Sequence, residues 1–184
     1  MLRVRDATLD DTEAIVSVTA SGWQEGYQGI VPPQVLANLP LDRWRHEIDV
    51  GLRRPLGDAF TRVAELDGAI AGYAYVVAPA KDGDLQGEVA ELVAMYVDPA
   101  RWRQGVGTAL MADVLERLGQ GGYTDVVLWV FKENRAARKF YERHGFKRDR
   151  SERFHPLAQT QAMRMQMPVA GSPGAEGGPG TMAP

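Results

Sequence analysis

The sequence predicts one α/β domain, in which helices cover both faces of a mixed, mostly antiparallel sheet of about seven strands. In the first half of the chain, two strand-like runs are joined by a short polar turn, as in antiparallel hairpins. In the second half, helical patterns separate the strand-like runs. The size agrees with one domain, because 184 residues with 45% hydrophobic and 24% charged content can bury a substantial core.

The N-terminal segment begins with a strand and continues into helices. Residues 2–5 alternate between apolar and basic side chains, as in a strand, and Asp10 or Asp11 can then cap a first helix. A break at Pro32-Pro33 separates this helix from a second helical pattern, which runs through residues 44–48.

A hairpin and a central strand follow. Residues 61–66 and 69–77 flank Asp67-Gly68, a dipeptide typical of two-residue hairpin turns. After a polar loop, residues 88–97 form an apolar run, which predicts a strand that is covered on both faces.

The second half of the chain alternates helices and strands. A helical pattern from about 105 to 119 precedes a strand at 125–131, and a further helix is expected at 134–144. Two late strands are expected near 146–153 and 160–168.

The end of the chain differs in composition from the domain expected over residues 1–168. Residues 169–184 are rich in glycine and proline and have almost no large apolar side chain. Such a segment cannot bury enough apolar surface to offset the cost of ordering it. We therefore expect a disordered tail without a catalytic part.

Composition excludes several function classes. A net charge of −3 argues against a general nucleic-acid binder, and no apolar stretch approaches the ~20 residues needed to cross a bilayer. The absence of cysteine excludes disulfides and thiolate chemistry. His46, His144 and His155 form no metal-binding pattern and are expected to be structural or solvated. We expect a cytoplasmic protein with no nucleic-acid, membrane or metal partner.

The first functional motif is Gly105-Val106-Gly107, which follows the 88–97 strand where a helical pattern begins. A glycine turn at a helix N-terminus presents unpaired backbone N–H groups at the positive end of the helix dipole, which suits a diphosphate. A dinucleotide-binding turn would need a glycine where this chain has Leu110, and a P-loop would need a lysine after the glycines. By itself, the motif is equally compatible with an ordinary tight turn.

The second motif has the pattern Asn-x-x-Ala-x-x-x-Tyr-x-x-x-Gly-Phe and runs from Asn134 to Phe146. Asn134 can cap a helix for which Gly145 is a suitable C-terminal residue. An isolated segment of this kind would be read as an amphipathic helix with aromatic core residues.

Together, the two motifs resemble those of the GCN5-related N-acetyltransferase (GNAT) family, and the resemblance covers roughly residues 1–168. It implies a GNAT-like fold, acetyl-CoA as co-substrate, and transfer of an acetyl group to a primary amine of a small molecule, amino acid or peptide by direct attack in a ternary complex. A catalytically silent acyl-CoA-binding sensor or interaction module is the alternative, and a homodimer stays open. One departure is Trp102, where the family usually has Gln or Arg.

The resemblance also implies which residues hold the co-substrate. In this family the strand before the glycine turn splays from its neighbour, so that its backbone can bind the pantetheine arm and the acetyl carbonyl. The turn binds the diphosphate, mostly through backbone N–H groups, and the second motif lies on the co-substrate side. The residues so assigned are Met95, Tyr96, Val97, Arg103, Gln104, Gly105, Val106, Gly107, Thr108, Asn134 and Ala137.

Tyr141 and Glu91 are the candidate catalytic residues. A phenol with a pKa of about 10 is protonated at neutral pH and can act as general acid toward a departing thiolate. A carboxylate that is partly buried beside apolar groups has a raised pKa and can act as general base, directly or through water. The alternatives are a tyrosine packed between helix and sheet, and a solvated glutamate at the beginning of its strand. Regular alternation would place Glu91 on the strand face of Met95 and Val97.

Trp23 and Tyr27 are the candidate substrate-binding residues. They lie where family members carry the loop that walls the acceptor pocket, although core aromatics would explain them equally well.

Overall fold

The computed structural model describes residues 1–169 and contains one seven-stranded sheet with the order β1-β2-β3-β4-β5-β7-β6. All neighbouring strands are antiparallel except β4 and β5, which are parallel. The mixed, mostly antiparallel sheet that the sequence predicts is therefore confirmed. The strands are β1 (Leu2–Asp6), β2 (Phe60–Leu66), β3 (Ala69–Val77), β4 (Val89–Val97), β5 (Asp125–Phe131), β6 (Lys147–His155) and β7 (Thr160–Pro168).

Five α-helices cover the two faces of this sheet. The segment between the first strand and the hairpin contains three of them, and each predicted helix of the second half is present. The helices are α1 (Thr12–Gly26), α2 (Pro33–Ala37), α3 (Leu41–Arg53), α4 (Val106–Gln120) and α5 (Arg135–Arg143). Within residues 1–169, no helix is long and apolar enough to span a membrane.

Alternate side chains of the central strands pack into two different hydrophobic clusters, one on each face of the sheet. Ala74 and Val76 of β3 pack with the buried aliphatic side chains of α4, whereas Tyr73 and Tyr75 pack against α1 and α3. Position 72 requires a glycine, because a Cβ there would lie 2.8 Å from the Tyr96 carbonyl oxygen of β4 and 3.1 Å from the Val106 side chain of α4. The sheet therefore has an aliphatic face under α4 and α5 and an aromatic face under α1 and α3.

Strand β4 has two halves that differ in their pairing. Residues 89–92, the closed half, pair with β3 and with β5. Residues 93–97, the open half, pair with β3 alone, because the ladder to β5 ends at Leu92 and Leu128. Strand β5 nevertheless continues to Phe131, so a gap lies between the ends of the two strands. The splay implied by the family resemblance is present.

A bulge at Val93 separates the two halves of β4. Tyr75 pairs with Ala94 and Val76 pairs with Leu92, so Val93 is an extra residue in the ladder. The bulge reverses the alternation, because Leu92 and Met95 now belong to the same aliphatic cluster. Glu91 therefore lies on the aromatic face, and the expectation that it shares a face with Met95 and Val97 is wrong.

The packed domain extends one residue beyond the boundary expected from the sequence. Val169 is 1% exposed, and its backbone N–H donates to the carbonyl of Thr124 at 2.8 Å. The remainder of the expected tail, residues 170–184, lies outside the described residues.

Candidate active site

The open half of β4 turns the backbone N–H and C=O groups of two residues toward the gap. The N–H of Asp98 donates to the carbonyl of Ala71 on β3 at 2.9 Å. In a trans peptide the preceding C=O points the opposite way, so the carbonyl of Val97 faces the gap. Because this direction repeats every second residue, the N–H and C=O of both Met95 and Val97 face the gap. The gap is thus edged by backbone donors and acceptors.

The glycine turn places a helix N-terminus at the end of the gap. Gly105 is the residue before α4, with a φ of 83° that favours glycine. The first amide to bond into the helix is that of Ala109, which donates to Gly105 at 2.9 Å. The amides of Val106, Gly107 and Thr108 precede that bond and can therefore donate to an anion. The exposed side chains of Arg103 and Gln104 flank the same turn.

Trp102, in the same turn, contacts the edge of the gap through a hydrogen bond. Its indole N–H donates to the carbonyl of Val97 at 2.9 Å, and the side chain is 46% exposed. In this structure, therefore, Trp102 covers one of the acceptors that edge the gap. The residue that departs from the family pattern contacts the strand end directly.

Helix α5 follows β5 and packs against the aliphatic cluster beside the open half of β4. Asn134 caps it, because its Oδ1 accepts from the N–H of Ala137 at 3.0 Å, as the sequence predicts. Ala137 and Tyr141 pack against the same cluster as Met95 and Val97. Burial raises the pKa of the Tyr141 phenol well above its usual range, and nearby Tyr96 adds to the shift. Tyr141 consequently stays protonated through the physiological pH range, as a general acid must.

Tyr96 lies on the opposite face from Met95 and Val97 and joins a cluster of aromatic side chains. Its hydroxyl accepts from the indole N–H of Trp23 at 3.0 Å and from the hydroxyl of Tyr27 at 3.2 Å. Burial is the main cause that raises the pKa of Tyr27, and charge interactions with Tyr96 and Tyr141 add to it. The cluster thus extends from α1 to the neighbourhood of Tyr141.

A cavity of about 420 Å³ lies on the aromatic face between α1, α3 and the sheet. Its floor includes Val93 and Ala94, the first residues of the open half, so the cavity meets the gap at the bulge. Of the two predicted substrate-binding residues, Trp23 lines this cavity, whereas Tyr27 packs behind it against Trp23 and Tyr96.

Glu91 lies two residues before the bulge and is only 9% exposed. Burial raises the pKa of its carboxyl group, although the Arg153 guanidinium, 3.8 Å away, favours the charged form. The charge of Glu91 in turn contributes to a raised pKa of Tyr75, whose ring lines the cavity. The reading of Glu91 as a solvated residue is therefore wrong.

Most residues of the cavity wall, among them Trp44 and Glu47, were not selected from the sequence. Trp44 and Glu47 come from α3, and their signal is the helical spacing of residues 44, 47, 48 and 51, which all face the cavity. His155 closes the wall at the end of β6.

His155 is a neutral imidazole in this wall. Burial lowers its pKa, and Nδ1 accepts from the N–H of Ala158 at 3.1 Å. A ring that accepts at Nδ1 carries its proton on Nε2. Within residues 1–169, no group of three or more His, Asp or Glu side chains is arranged to hold a metal ion.

Comparison with known proteins identifies related sequences. Residues 23–146 match the model of the acetyltransferase (GNAT) family. The uncharacterized N-acetyltransferase YuaI of Bacillus subtilis is 32% identical over 138 residues, which are 73% of this chain and 74% of that protein. The peptidyl-lysine N-acetyltransferase YiaC of Escherichia coli is 28% identical over 143 residues, 78% and 82% of the two chains. A mycothiol acetyltransferase of Sanguibacter keddieii is 35% identical, but this chain covers only 27% of it.

Solved structures share the fold. The PaiA N-acetyltransferase of Thermoplasma acidophilum, determined in complex with coenzyme A, superposes with a TM-score of 0.74 at 18% identity and covers 89% of this chain and 98% of its own. The ribosomal-protein-S18-alanine N-acetyltransferase of Escherichia coli gives a TM-score of 0.64 at 19% identity and covers 96% and 98%.

Proposed function

The chain belongs to the acetyltransferase (GNAT) family, and we propose that it transfers the acetyl group of acetyl-CoA, its co-substrate, to a primary amine by direct attack in a ternary complex. The observation that carries this proposal is the gap beside the open half of β4. It is edged by backbone groups, ends at the amides that begin α4, and borders a cavity whose floor includes Val93 and Ala94.

Each end of the gap suits a different part of acetyl-CoA. The diphosphate suits the amides of residues 106–108, which lie at the positive end of the α4 dipole. The amide groups of the pantetheine arm suit the gap-facing backbone of Met95 and Val97. Asn134 and Ala137 border the same side from α5.

The chemistry requires two proton transfers. The amine nitrogen forms a bond to the acetyl carbon, the carbon–sulfur bond breaks, and the departing thiolate takes a proton from Tyr141. The attacking amine gives its proton to Glu91, directly or through water. A backbone N–H of the open half can stabilise the oxyanion, and one such donor lowers a barrier by roughly 3 kcal/mol.

A thiol-release assay tests this function. The chain would be incubated with acetyl-CoA, with and without a panel of primary amines, while free coenzyme A thiol is measured. The proposal expects release that depends on an amine and an acetylated amine among the products. Tight binding of acetyl-CoA without amine-dependent release from any member of the panel would instead indicate a silent acyl-CoA-binding module.

A further inference from the structure

The cavity beside the gap presents mainly aromatic ring surface. Trp23 and Trp44 have ring centroids 5.3 Å apart in its wall, and Tyr73 and Tyr96 have centroids 5.9 Å apart in its floor. Their polar atoms are largely engaged elsewhere. The Tyr73 hydroxyl is 2.9 Å from Thr19 Oγ1, and the Tyr96 hydroxyl accepts two hydrogen bonds from α1 and the residue after it. At these four residues a ligand would therefore meet the rings rather than their polar atoms.

The cavity has an acidic rather than a basic character. Glu47 is the charged residue among the described residues that line it, and none of these is a lysine or an arginine. Glu47 pairs with Arg43 at 2.7 Å on an exposed surface, where such pairs are weak and readily exchanged. The charge of Glu91 acts on Tyr75 of this wall, and the cavity-lining His155 accepts a hydrogen bond at Nδ1, as a neutral imidazole does. This wall can attract an ammonium group but offers no lysine or arginine to pair with a carboxylate.

From these observations we infer that the acceptor is a small arylalkylamine, a primary amine on an aromatic body without a carboxylate. This inference rests on the proposed function. Aromatic ring faces attract ammonium groups and stack with flat apolar bodies. A volume of about 420 Å³ is near the small end of ligand pockets and suits a compact molecule. A free amino acid would place its carboxylate against this wall without a cationic partner, which is costly.

A matched acceptor series tests the inference on the unmodified chain. Phenethylamine, phenylalaninamide and phenylalanine share a ring and a primary amine, and only the last carries a carboxylate. With saturating acetyl-CoA, kcat/KM from thiol release should be at least roughly 100-fold higher for phenethylamine than for phenylalanine, since an unpaired carboxylate resists burial. Phenylalaninamide should lie close to phenethylamine, because it adds bulk without charge. A lysine-containing peptide should be a poorer acceptor than phenethylamine.

A charge reversal in the wall tests the same inference independently. Glu47→Lys supplies the cation that the wall lacks, so kcat/KM should rise for phenylalanine and fall for phenethylamine. Glu116→Lys, an exposed change on α4 at the other face of the sheet, is the matched control and should leave both values unchanged. Neither residue belongs to the proposed catalytic or co-substrate machinery.

The outcomes separate the inference from the function on which it rests. If phenylalanine or the lysine peptide is the better acceptor for the unmodified chain, the arylalkylamine assignment is wrong, and the acetyltransferase function stands. If no amine promotes thiol release although acetyl-CoA binds, both fall. A preference for phenethylamine that Glu47→Lys reverses would support the assignment.

Discussion

The two halves of β4 are both largely apolar, but they differ in how many neighbouring strands they pair with. The closed half pairs on both sides and holds Glu91 in a buried position. The open half has lost its partner on one side, so the peptide groups of Met95 and Val97 face the gap. The difference shows how one bulge and one interrupted ladder turn part of a core strand into the edge of the gap, where we propose that acetyl-CoA binds.

The bulge also determines on which face of the sheet the Glu91 carboxyl group lies. If β4 continued through Val93 in regular alternation, without a bulge, Glu91 would point to the aliphatic face beneath α4 and α5. With it, the carboxyl group lies on the aromatic face, the side of the cavity. The closed half thus supplies the proposed base to the acceptor side, and the open half supplies backbone groups to the co-substrate.

The largest expected effect comes from blocking the turn at the end of the open half. Gly105→Glu places bulk and negative charge where the diphosphate is proposed to bind, and calorimetry should detect no acetyl-CoA binding. Gly122→Glu is a matched control, because Gly122 also has a positive φ, 80° against 83°, and open space at the Cβ position. Equal affinity of a folded Gly105→Glu variant would remove the diphosphate site from this turn.

The second prediction concerns Tyr141, which packs from α5 against the same cluster as Met95 and Val97. Tyr141→Phe should keep the fold and the acetyl-CoA affinity but lower kcat by roughly 10²–10⁴-fold, because only the proton donor is lost. Tyr123→Phe removes a hydroxyl that bonds Asp58 at 2.9 Å elsewhere in the domain, and it should leave kcat unchanged. An unaltered kcat for Tyr141→Phe, with chemistry rate-limiting, would return Tyr141 to a packing role.

The third prediction tests the closed half through the pH dependence of catalysis. A base must be deprotonated, so activity should rise with pH through the raised pKa of Glu91 and form the acidic limb of the kcat/KM profile. Glu91→Gln keeps the size of the side chain but cannot accept the proton, so this limb should disappear while acetyl-CoA affinity stays the same. Superimposable profiles, measured with one acceptor amine, would exclude Glu91 as the base.

The raised pKa of Glu91 should also change how the free energy of unfolding depends on pH. Its pKa is raised above the ordinary value of 4.5, so the folded state holds its proton to higher pH than the unfolded chain. As pH rises above 4.5, the unfolded chain ionises first and the free energy of unfolding falls, up to the folded pKa. Denaturant titrations should show this loss in the unmodified chain and a smaller loss in Glu91→Gln. An identical pH dependence in the two proteins would contradict the claim that burial raises the pKa of the Glu91 carboxyl group.

The smallest expected effect belongs to Trp102 at the end of the open half. Trp102→Phe removes the indole donor from the Val97 carbonyl, which acetyl-CoA then need not displace. Affinity should rise by about 2- to 10-fold, the equivalent of one net hydrogen bond. A weaker affinity in calorimetry would mean that the indole contributes to binding rather than competing with it.

Local signals in the sequence predicted the elements around the gap. The glycine turn before α4 and the cap at Asn134 depend on neighbouring residues alone, and both are present. The bulge at Val93 depends on the register with β3, which no local pattern records, so the face of Glu91 was predicted wrongly. The cavity wall depends on how α3 packs on the sheet, and Trp44 and Glu47 acquire their position only through that tertiary contact.

The central claim is that acetyl-CoA binds along the open half of β4 and leaves the closed half unchanged. Amide hydrogen exchange, measured residue by residue with and without acetyl-CoA, tests it most directly. We expect added protection at Met95, Val97 and Gly107 and no change across residues 89–92, which are already paired on both sides. Protection gained in the closed half, or none at Met95, Val97 and Gly107 under saturating acetyl-CoA, would contradict it.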